Sequence, residues 1–166
     1  MKRWALGFIL LCFIAVAQQS PLELKLERFV ITQVEQDGEM TELRAAAFES
    51  RPGDVIEEVL TATNLTAESL TGVALEIPVP LGSSYLADTA SVLELESQSI
   101  VPQFSFDNGS SFAYAPLYKT ITVLEDGKEV TKEVIVDPSE YTHVRWLVPQ
   151  FSANAELTAS FRAVVR

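Results

Sequence analysis

The single histidine of this sequence is the first side chain to test for catalytic chemistry, because imidazole can act as a general base near neutral pH. His143 lies in the run Tyr141-Thr142-His143-Val144-Arg145-Trp146, whose alternate residues face opposite sides of a strand. A serine hydrolase also needs a serine on a sharp turn, and the G-x-S-x-G pattern of that turn is absent. We therefore expect no catalytic role for His143. We expect Tyr141, His143 and Arg145 to share an outward face, opposite Trp146, that could contact a glycan or a protein partner.

Paired carboxylates are the second chemistry to consider, since glycoside hydrolysis uses two of them. Glu57-Glu58 and the pair Glu94/Glu96 qualify by residue type. Adjacent residues of a strand point to opposite faces, however, and a chain with 23 acidic residues contains such pairs by chance. We predict that the protein is not an enzyme, and a hydrolase ranks third among the functions considered.

Two acidic turns could supply oxygen ligands to calcium. They are Asp107-Asn108-Gly109 and Glu125-Asp126-Gly127. Neither resembles an EF-hand loop, and the preference of Asp, Asn and Gly for turns accounts for both. We predict no cofactor and no metal, with calcium as the alternative.

Four tyrosines could form an aromatic platform for a sugar ring. They are Tyr85, Tyr114, Tyr118 and Tyr141. Tyrosine at the end of a strand usually packs its ring and leaves its hydroxyl in water, which is the competing interpretation. A carbohydrate-binding module is accordingly the second function that the sequence suggests.

These side chains are carried by segments that alternate between apolar and polar residues. Leu22, Leu24 and Leu26 alternate with charged residues, and the phase changes at 28–31, which predicts a bulge or a change of sheet. Asp37-Gly38 predicts a turn, with a return strand at 40–48 in which three alanines leave helix as an alternative.

The middle of the chain contains the strand around which the others should be arranged. Residues 55–63 carry apolar side chains on both faces, which is typical of a central strand, with Glu57 and Glu58 marking where a face reaches water. A strand with Val73, Leu75 and Ile77 inward follows, and 83–87 predicts a short strand with Tyr85 at the rim of the core.

The second half of the chain contains the clearest hairpin. Residues 118–124 and 129–136 flank Glu125-Asp126-Gly127-Lys128, and 141–148 and 156–165 are further alternating strands. No stretch after the N-terminal apolar run has a helical period. Many short strands with regularly spaced turns indicate a sandwich or a barrel, and we predict an all-β fold of two packed antiparallel sheets with Trp146 in the core.

The N-terminal residues resemble an export signal. Lys2 and Arg3 precede an apolar run at 4–16, and Ala15-Val16-Ala17 fits a cleavage site, so residues 1–17 are predicted to be a cleaved signal peptide. The run is too short for a membrane-spanning helix, which needs about 20 residues. A retained anchor and a lipoprotein attached through Cys12 are the alternatives.

Cleavage would leave an acidic chain without cysteine. Cys12 is the only cysteine, and loss of Lys2 and Arg3 takes the formal charge from −11 to −13. The protein would then be exported to the periplasm, the cell surface or the medium without disulfides, and would not bind nucleic acid or insert stably into a membrane.

Several motifs resemble the bacterial DUF11 domain family. They are the Pro-Gly-Asp-Val-Ile turn at 52–56, Leu-Thr-Ala-Thr-Asn at 60–64, and Val-Pro-Leu-Gly at 79–82. The resemblance covers 50–166 and implies an immunoglobulin-like, bacterial, secreted or envelope-associated domain, with 18–49 added as an N-terminal hairpin extension of the same domain. Glu58 stands where that family usually has an aromatic or apolar residue. The expected function is that of a non-enzymatic interaction or structural subunit, with another envelope or surface protein as its partner and a glycan as the alternative ligand.

Overall fold

The computed structural model describes residues 20–166 except 37, 48, 96 and 97, and this part of the chain is built from strands. One short 3-10 turn, Pro138–Glu140, accompanies them, and there is no α-helix among the described residues. The strands are β1 Leu22–Gln36, β2 Glu39–Ala46, β3 Val55–Asn64, β4 Leu70–Pro78, β5 Ser83–Tyr85, β6 Leu93–Glu94, β7 Ser99–Ile100, β8 Gln103–Ser105, β9 Tyr118–Glu125, β10 Lys128–Ile135, β11 His143–Phe151 and β12 Glu156–Val165.

Two antiparallel sheets form the body of the molecule. The larger sheet has the order β2-β1-β3-β12-β5, and the smaller one has the order β4-β11-β8. β3 is flanked by β1 on one side and β12 on the other, so the strand that the sequence marks as central is indeed central. The prediction of an all-β, antiparallel sandwich is confirmed.

The core lies between the two sheets and takes the inward residues that the alternation predicts. Leu75 and Ile77 of β4, Trp146 of β11 and Phe161 of β12 are at most 1% exposed. The indole Nε1 of Trp146 donates a hydrogen bond of 2.7 Å to the carbonyl of Ser91, so its one polar group is satisfied within the core. Trp146 is therefore buried, as predicted.

β1 is one continuous strand within a single sheet, so the prediction of a bulge or a change of sheet at 28–31 is wrong. Its register to β3 runs from Leu22 opposite Asn64 to Ile31 opposite Val55 without interruption. The change of phase in the sequence arises because Phe29 and Ile31 are apolar residues on the outer face. The helical alternative is wrong for Ala45 and Ala46, which lie in β2. β1 and β2, which both fall within the predicted extension 18–49, thus belong to the larger sheet.

Glu58 differs most from its predicted environment. It lies on the inward face of β3 and is 1% exposed, whereas the sequence suggested that it marks a water-exposed position. Arg28, directly opposite on β1, forms an ion pair with it through Nε. The burial of this carboxylate depends on a cation from the neighbouring strand, which no local pattern in β3 could indicate.

β9 and β10 form a hairpin arm, as the sequence predicts. The two-residue turn Asp126-Gly127 has positive φ at both positions, 50° and 75°, which is the geometry that lets a tight hairpin follow the twist of its strands. Among the described residues, β9 and β10 pair only with each other. We refer to Tyr118–Ile135 as the hairpin arm.

The predicted signal peptide, residues 1–17, lies outside the described residues. Within the part of the chain that the structure describes, no helix has the length and apolar character needed to cross a bilayer.

Candidate interaction surfaces

The four tyrosines do not form one exposed platform. Tyr85 and Tyr141 are each 4% exposed and stack with ring centroids 5.6 Å apart, whereas Tyr114 and Tyr118 are 58% and 53% exposed. The prediction that Tyr141 faces outward with His143 is wrong, because β11 begins only at His143 and the alternation does not extend back to residue 141. Tyr141 instead follows the 3-10 turn directly and packs its ring into the core.

Three of these tyrosines nevertheless border one surface depression of about 390 Å³. The residues that line it include Tyr85, Tyr114, Tyr141, Phe104 and Asp88. The hydroxyl of Tyr85 accepts a hydrogen bond of 3.3 Å from the backbone N–H of Ala90. Burial raises the pKa of both Tyr85 and Tyr141, so both remain neutral hydrogen-bonding groups. The depression combines aromatic rings with polar groups such as Asp88, and such a surface can contact a sugar ring.

His143 and Arg145 face away from the core, as predicted, and are held by neighbours on that outer face. The guanidinium of Arg145 lies 3.8 Å from the centre of the Phe112 ring and donates a 2.8 Å hydrogen bond to Gln103 Oε1. His143 Nδ1 lies 3.1 Å from Thr142 Oγ1, and its ring meets the edge of Phe112. These contacts keep both side chains half-buried, so they form a packed outer layer on β11.

The two turns considered for calcium differ in structure. At the first, Asp107 accepts hydrogen bonds of 2.6 Å from the hydroxyls of Ser105 and Ser111 and one of 2.9 Å from the backbone N–H of Ser111. The Ser105 hydroxyl, followed by Ser111, lowers the pKa of Asp107 to about 2. The second turn is the tip of the hairpin arm. The residues that the structure describes contain no group of three or more His, Cys, Asp or Glu side chains able to hold a metal ion.

Asn64, which the sequence analysis names only as the last residue of the motif at 60–64, is a buried structural residue. Its side chain is 1% exposed, and its amide nitrogen donates to the carbonyls of Phe151, Ser152 and Glu68. Its oxygen accepts from the N–H and hydroxyl of Thr66, at 3.0 and 2.8 Å. Two features of the sequence could have indicated this role. Asn64 ends β3 on the same face as the inward residues Leu60 and Ala62, and it precedes Thr66 by two residues, a spacing that allows an Asx turn.

A charged network on the outer face of the large sheet was also missed. Arg162 of β12 binds both carboxylate oxygens of Glu42, at 2.9 and 2.7 Å, and lies 3.5 Å from Glu57. Arg44 pairs with Glu57 at 3.0 Å and lies 3.8 Å above the ring of Phe29. Since β1 and β3 separate β2 from β12 in the sheet order, the Glu42–Arg162 contact means that the β1–β2 hairpin curls over this face.

The hairpin arm exposes apolar side chains on one of its faces. Tyr118 and Ile135 are directly opposite each other, 53% and 62% exposed, and Leu124 at the far end of the same face is 75% exposed. Thr120, Thr122 and Thr131 lie between them, together with the exposed Glu129 and Glu133. A two-stranded ribbon is marginally stable in water by itself, so the exposed Tyr118, Leu124 and Ile135 make this mixed face a candidate for contact with another molecule.

Several strand edges are open among the described residues, including the outer side of β2 at one end of the larger sheet. β4 ends the smaller sheet, and the first part of β1, Leu22–Glu27, is paired only on its β3 side because β2 stops opposite Phe29. Such edges carry unpaired backbone donors and acceptors that can bind an added strand.

No family model, no curated protein and no solved structure matches this chain. The resemblance to the DUF11 domain therefore stays a prediction from the motifs quoted above.

Proposed function

We propose that this protein is a non-enzymatic, exported β-sandwich of a bacterial cell envelope that acts as an interaction or structural subunit. Its partner would be another envelope or surface protein. The N-terminal signal motif supports export. The resemblance of 50–166 to DUF11 domains is consistent with this assignment.

The hairpin arm is the observation that carries this proposal. Tyr118, Leu124 and Ile135 expose more than half of their surface on one face of a ribbon that pairs with no other described strand. Burying large apolar side chains against a partner recovers about 25 cal/mol per Å² of apolar area, so the arm gains stability when it is covered. Its three threonines add hydroxyls that can bond across such an interface.

Capture of partners from the native envelope tests this assignment. The tagged protein is recovered in mild detergent, and co-purifying proteins are identified and quantified. We expect a stoichiometric protein partner that is lost when Leu124→Glu and Ile135→Glu are combined. Leu81→Glu is the matched control, because Leu81 is fully exposed but lies outside the arm. Recovery of the protein alone, or retention of the partner by the arm variant, would overturn the proposed role of the arm.

Glycan binding is the second candidate, and the depression bordered by Tyr85, Tyr114 and Tyr141 favours it. Tyr114 is the exposed ring at its rim, so Tyr114→Ala should reduce binding to purified cell-wall polysaccharide. Tyr118→Ala is the control, since Tyr118 is equally exposed but belongs to the arm. Equal binding by both variants and the wild type would remove the depression as a glycan site.

A further inference from the structure

The open part of the β1 edge presents backbone groups on the side away from β3. The carbonyl of Arg28 accepts from the N–H of Ala47 at 3.0 Å and so points to the β2 side. Because backbone groups alternate along a strand, those of Leu22, Leu24 and Leu26 point the same way. The Ser20 hydroxyl bonds the carbonyl of Leu22 at 2.8 Å, whereas no described strand pairs with the groups of Leu24 and Leu26 on that side.

The side chains of this edge are apolar on one face and charged on the other. Leu24 and Leu26 point to the inner side of the sheet but are 55% and 52% exposed, whereas Ala62 and Leu60, directly opposite them on β3, are buried. Glu23, Lys25 and Glu27 occupy the outer side. Leucines at alternate positions of an unpaired edge are the feature that β-sheet proteins usually avoid, which indicates that this edge is covered in the functional state.

We propose that a second copy of this chain covers it, through antiparallel pairing of the two β1 edges about a two-fold axis at Leu24. This inference deepens the proposed role as an interaction subunit and rests on it. In that register Leu24 meets Leu24 of the other copy, and Leu22 meets Leu26. On the outer side Glu23 of each copy lies opposite Lys25 of the other. Lys25 already pairs with Glu27 of its own strand at 3.0 Å, so each junction adds a second carboxylate to this ammonium group.

The charges discriminate between registers. Moving the axis by one residue, to position 25, places Lys25 against itself and Glu23 against Glu27, which puts like charges opposite each other three times. Moving it to position 26 places Leu24 opposite Arg28, where β2 already begins to occupy the edge. Moving it to position 23 sets Glu23 against itself and Lys25 against Pro21. The axis at Leu24 therefore gives the charge-complementary register that fits the open length.

The dimer would join two five-stranded sheets into one continuous sheet, with six leucines in a stripe across the junction. Leu22–Glu27 is a much shorter contact than the 20–30 residues per partner of a standard interface, so we expect a dimer that forms reversibly with rising concentration. The Ser20 hydroxyl would be displaced from Leu22 as the second strand pairs. The hairpin arm is not used by this contact, so its face stays free for a different partner.

Charge reversal at the edge provides the first test, by sedimentation velocity over a range of concentrations. The wild type should dimerise, and Glu23→Lys and Lys25→Glu should each be monomeric. An equimolar mixture of the two variants should form a heterodimer, since each then presents opposite charges at both positions. Lys128→Glu is the control, because it makes the same charge change as Lys25→Glu but lies on the arm. A monomeric wild type, or a dimer that both variants retain, would overturn the proposal.

A disulfide trap tests the register. In a Cys12→Ser background, Leu24→Cys should crosslink to itself on mild oxidation, because directly paired residues with Cα atoms about 5.5 Å apart suit a disulfide. Leu26→Cys, on the same face and equally exposed, should not, since it meets Leu22 of the other copy. Crosslinking of both variants at equal rates would show random collision and refute the register. Loss of this dimer while the arm still captures its partner would reject only the self-association, and the proposed function would stand.

Discussion

The ion pair between Glu58 and Arg28 allows a sharp test of how this core tolerates a buried charge. The side chain of Glu58 is 2% exposed, whereas that of Arg28 is 44% exposed. Removing one partner of a fully buried pair costs about 3–5 kcal/mol. Because water reaches Arg28, we expect Arg28→Met to cost somewhat less, about 2–3 kcal/mol.

Replacing both partners should recover most of that loss. Arg28→Met combined with Glu58→Met removes the buried charge and places two apolar side chains next to Leu26, Leu60 and Phe161. We expect the double variant to lie within about 1 kcal/mol of the wild type. Lys132→Met is the control, since both it and its partner are nearly half exposed, and such pairs contribute about 0–1 kcal/mol.

Urea unfolding followed by the fluorescence of Trp146 measures these differences. With an m value of about 2 kcal/mol per M, Arg28→Met should lower the midpoint by about 1 M without changing the slope. The buried indole reports on the core that lies between the two sheets. If Arg28→Met and Lys132→Met shift the midpoint equally, or if the double variant is no more stable than Arg28→Met, the reasoning about the buried charge is refuted.

Three further predictions concern a buried amide, an acidic turn and the arm. Asn64→Ala should lower the free energy of unfolding by about 2–4 kcal/mol, because it leaves backbone carbonyls without donors; a urea midpoint equal to that of the wild type would contradict this role. Asp107→Asn removes a carboxylate whose pKa is lowered to about 2, chiefly by the Ser105 hydroxyl. The stability that this carboxylate gives is present above about pH 4 and is lost as the pH falls towards 2. The difference in urea midpoint between variant and wild type should therefore shrink as the pH falls from 4 to 2. A difference that stays constant would refute the assignment. Gly127→Ala places a side chain at a φ of 75°, which strains the turn of the arm. We expect faster amide hydrogen exchange in the arm and an unchanged urea midpoint for the whole protein. A lower urea midpoint would contradict this and would mean that the arm supports the core.

Local sequence patterns predicted those parts of the fold that depend on neighbours along the chain. The arm and its turn follow from alternation and from the Asp-Gly pair, and β3 is recognisable as central because it is apolar on both faces. The inward residues of β4 are also in the predicted phase. In each case the deciding interaction is alternation or turn geometry, which a single segment already specifies.

The misassigned residues depend on partners that are distant in the sequence. Glu58 is buried because Arg28 lies opposite it, and Asn64 is buried because the β11–β12 connection supplies carbonyls to it. Tyr141 was assigned to a strand face because the alternation was extended two residues beyond the start of β11. The open edge of β1 could not be predicted from the sequence for the same reason. It depends on where β2 ends, and β2 ends opposite Phe29.

The position of β3 between β1 and β12 also has a consequence for the order in which the molecule folds. β3 needs a strand from the beginning of the described chain on one side and the last strand of the sequence on the other. Contacts of such long sequence separation make folding slow, because a large loop must close before the contacts can form. In a chain exported N-terminus first, the large sheet cannot close until residues 156–165 have emerged. The topology thus leaves the large sheet incomplete until β12 reaches β3.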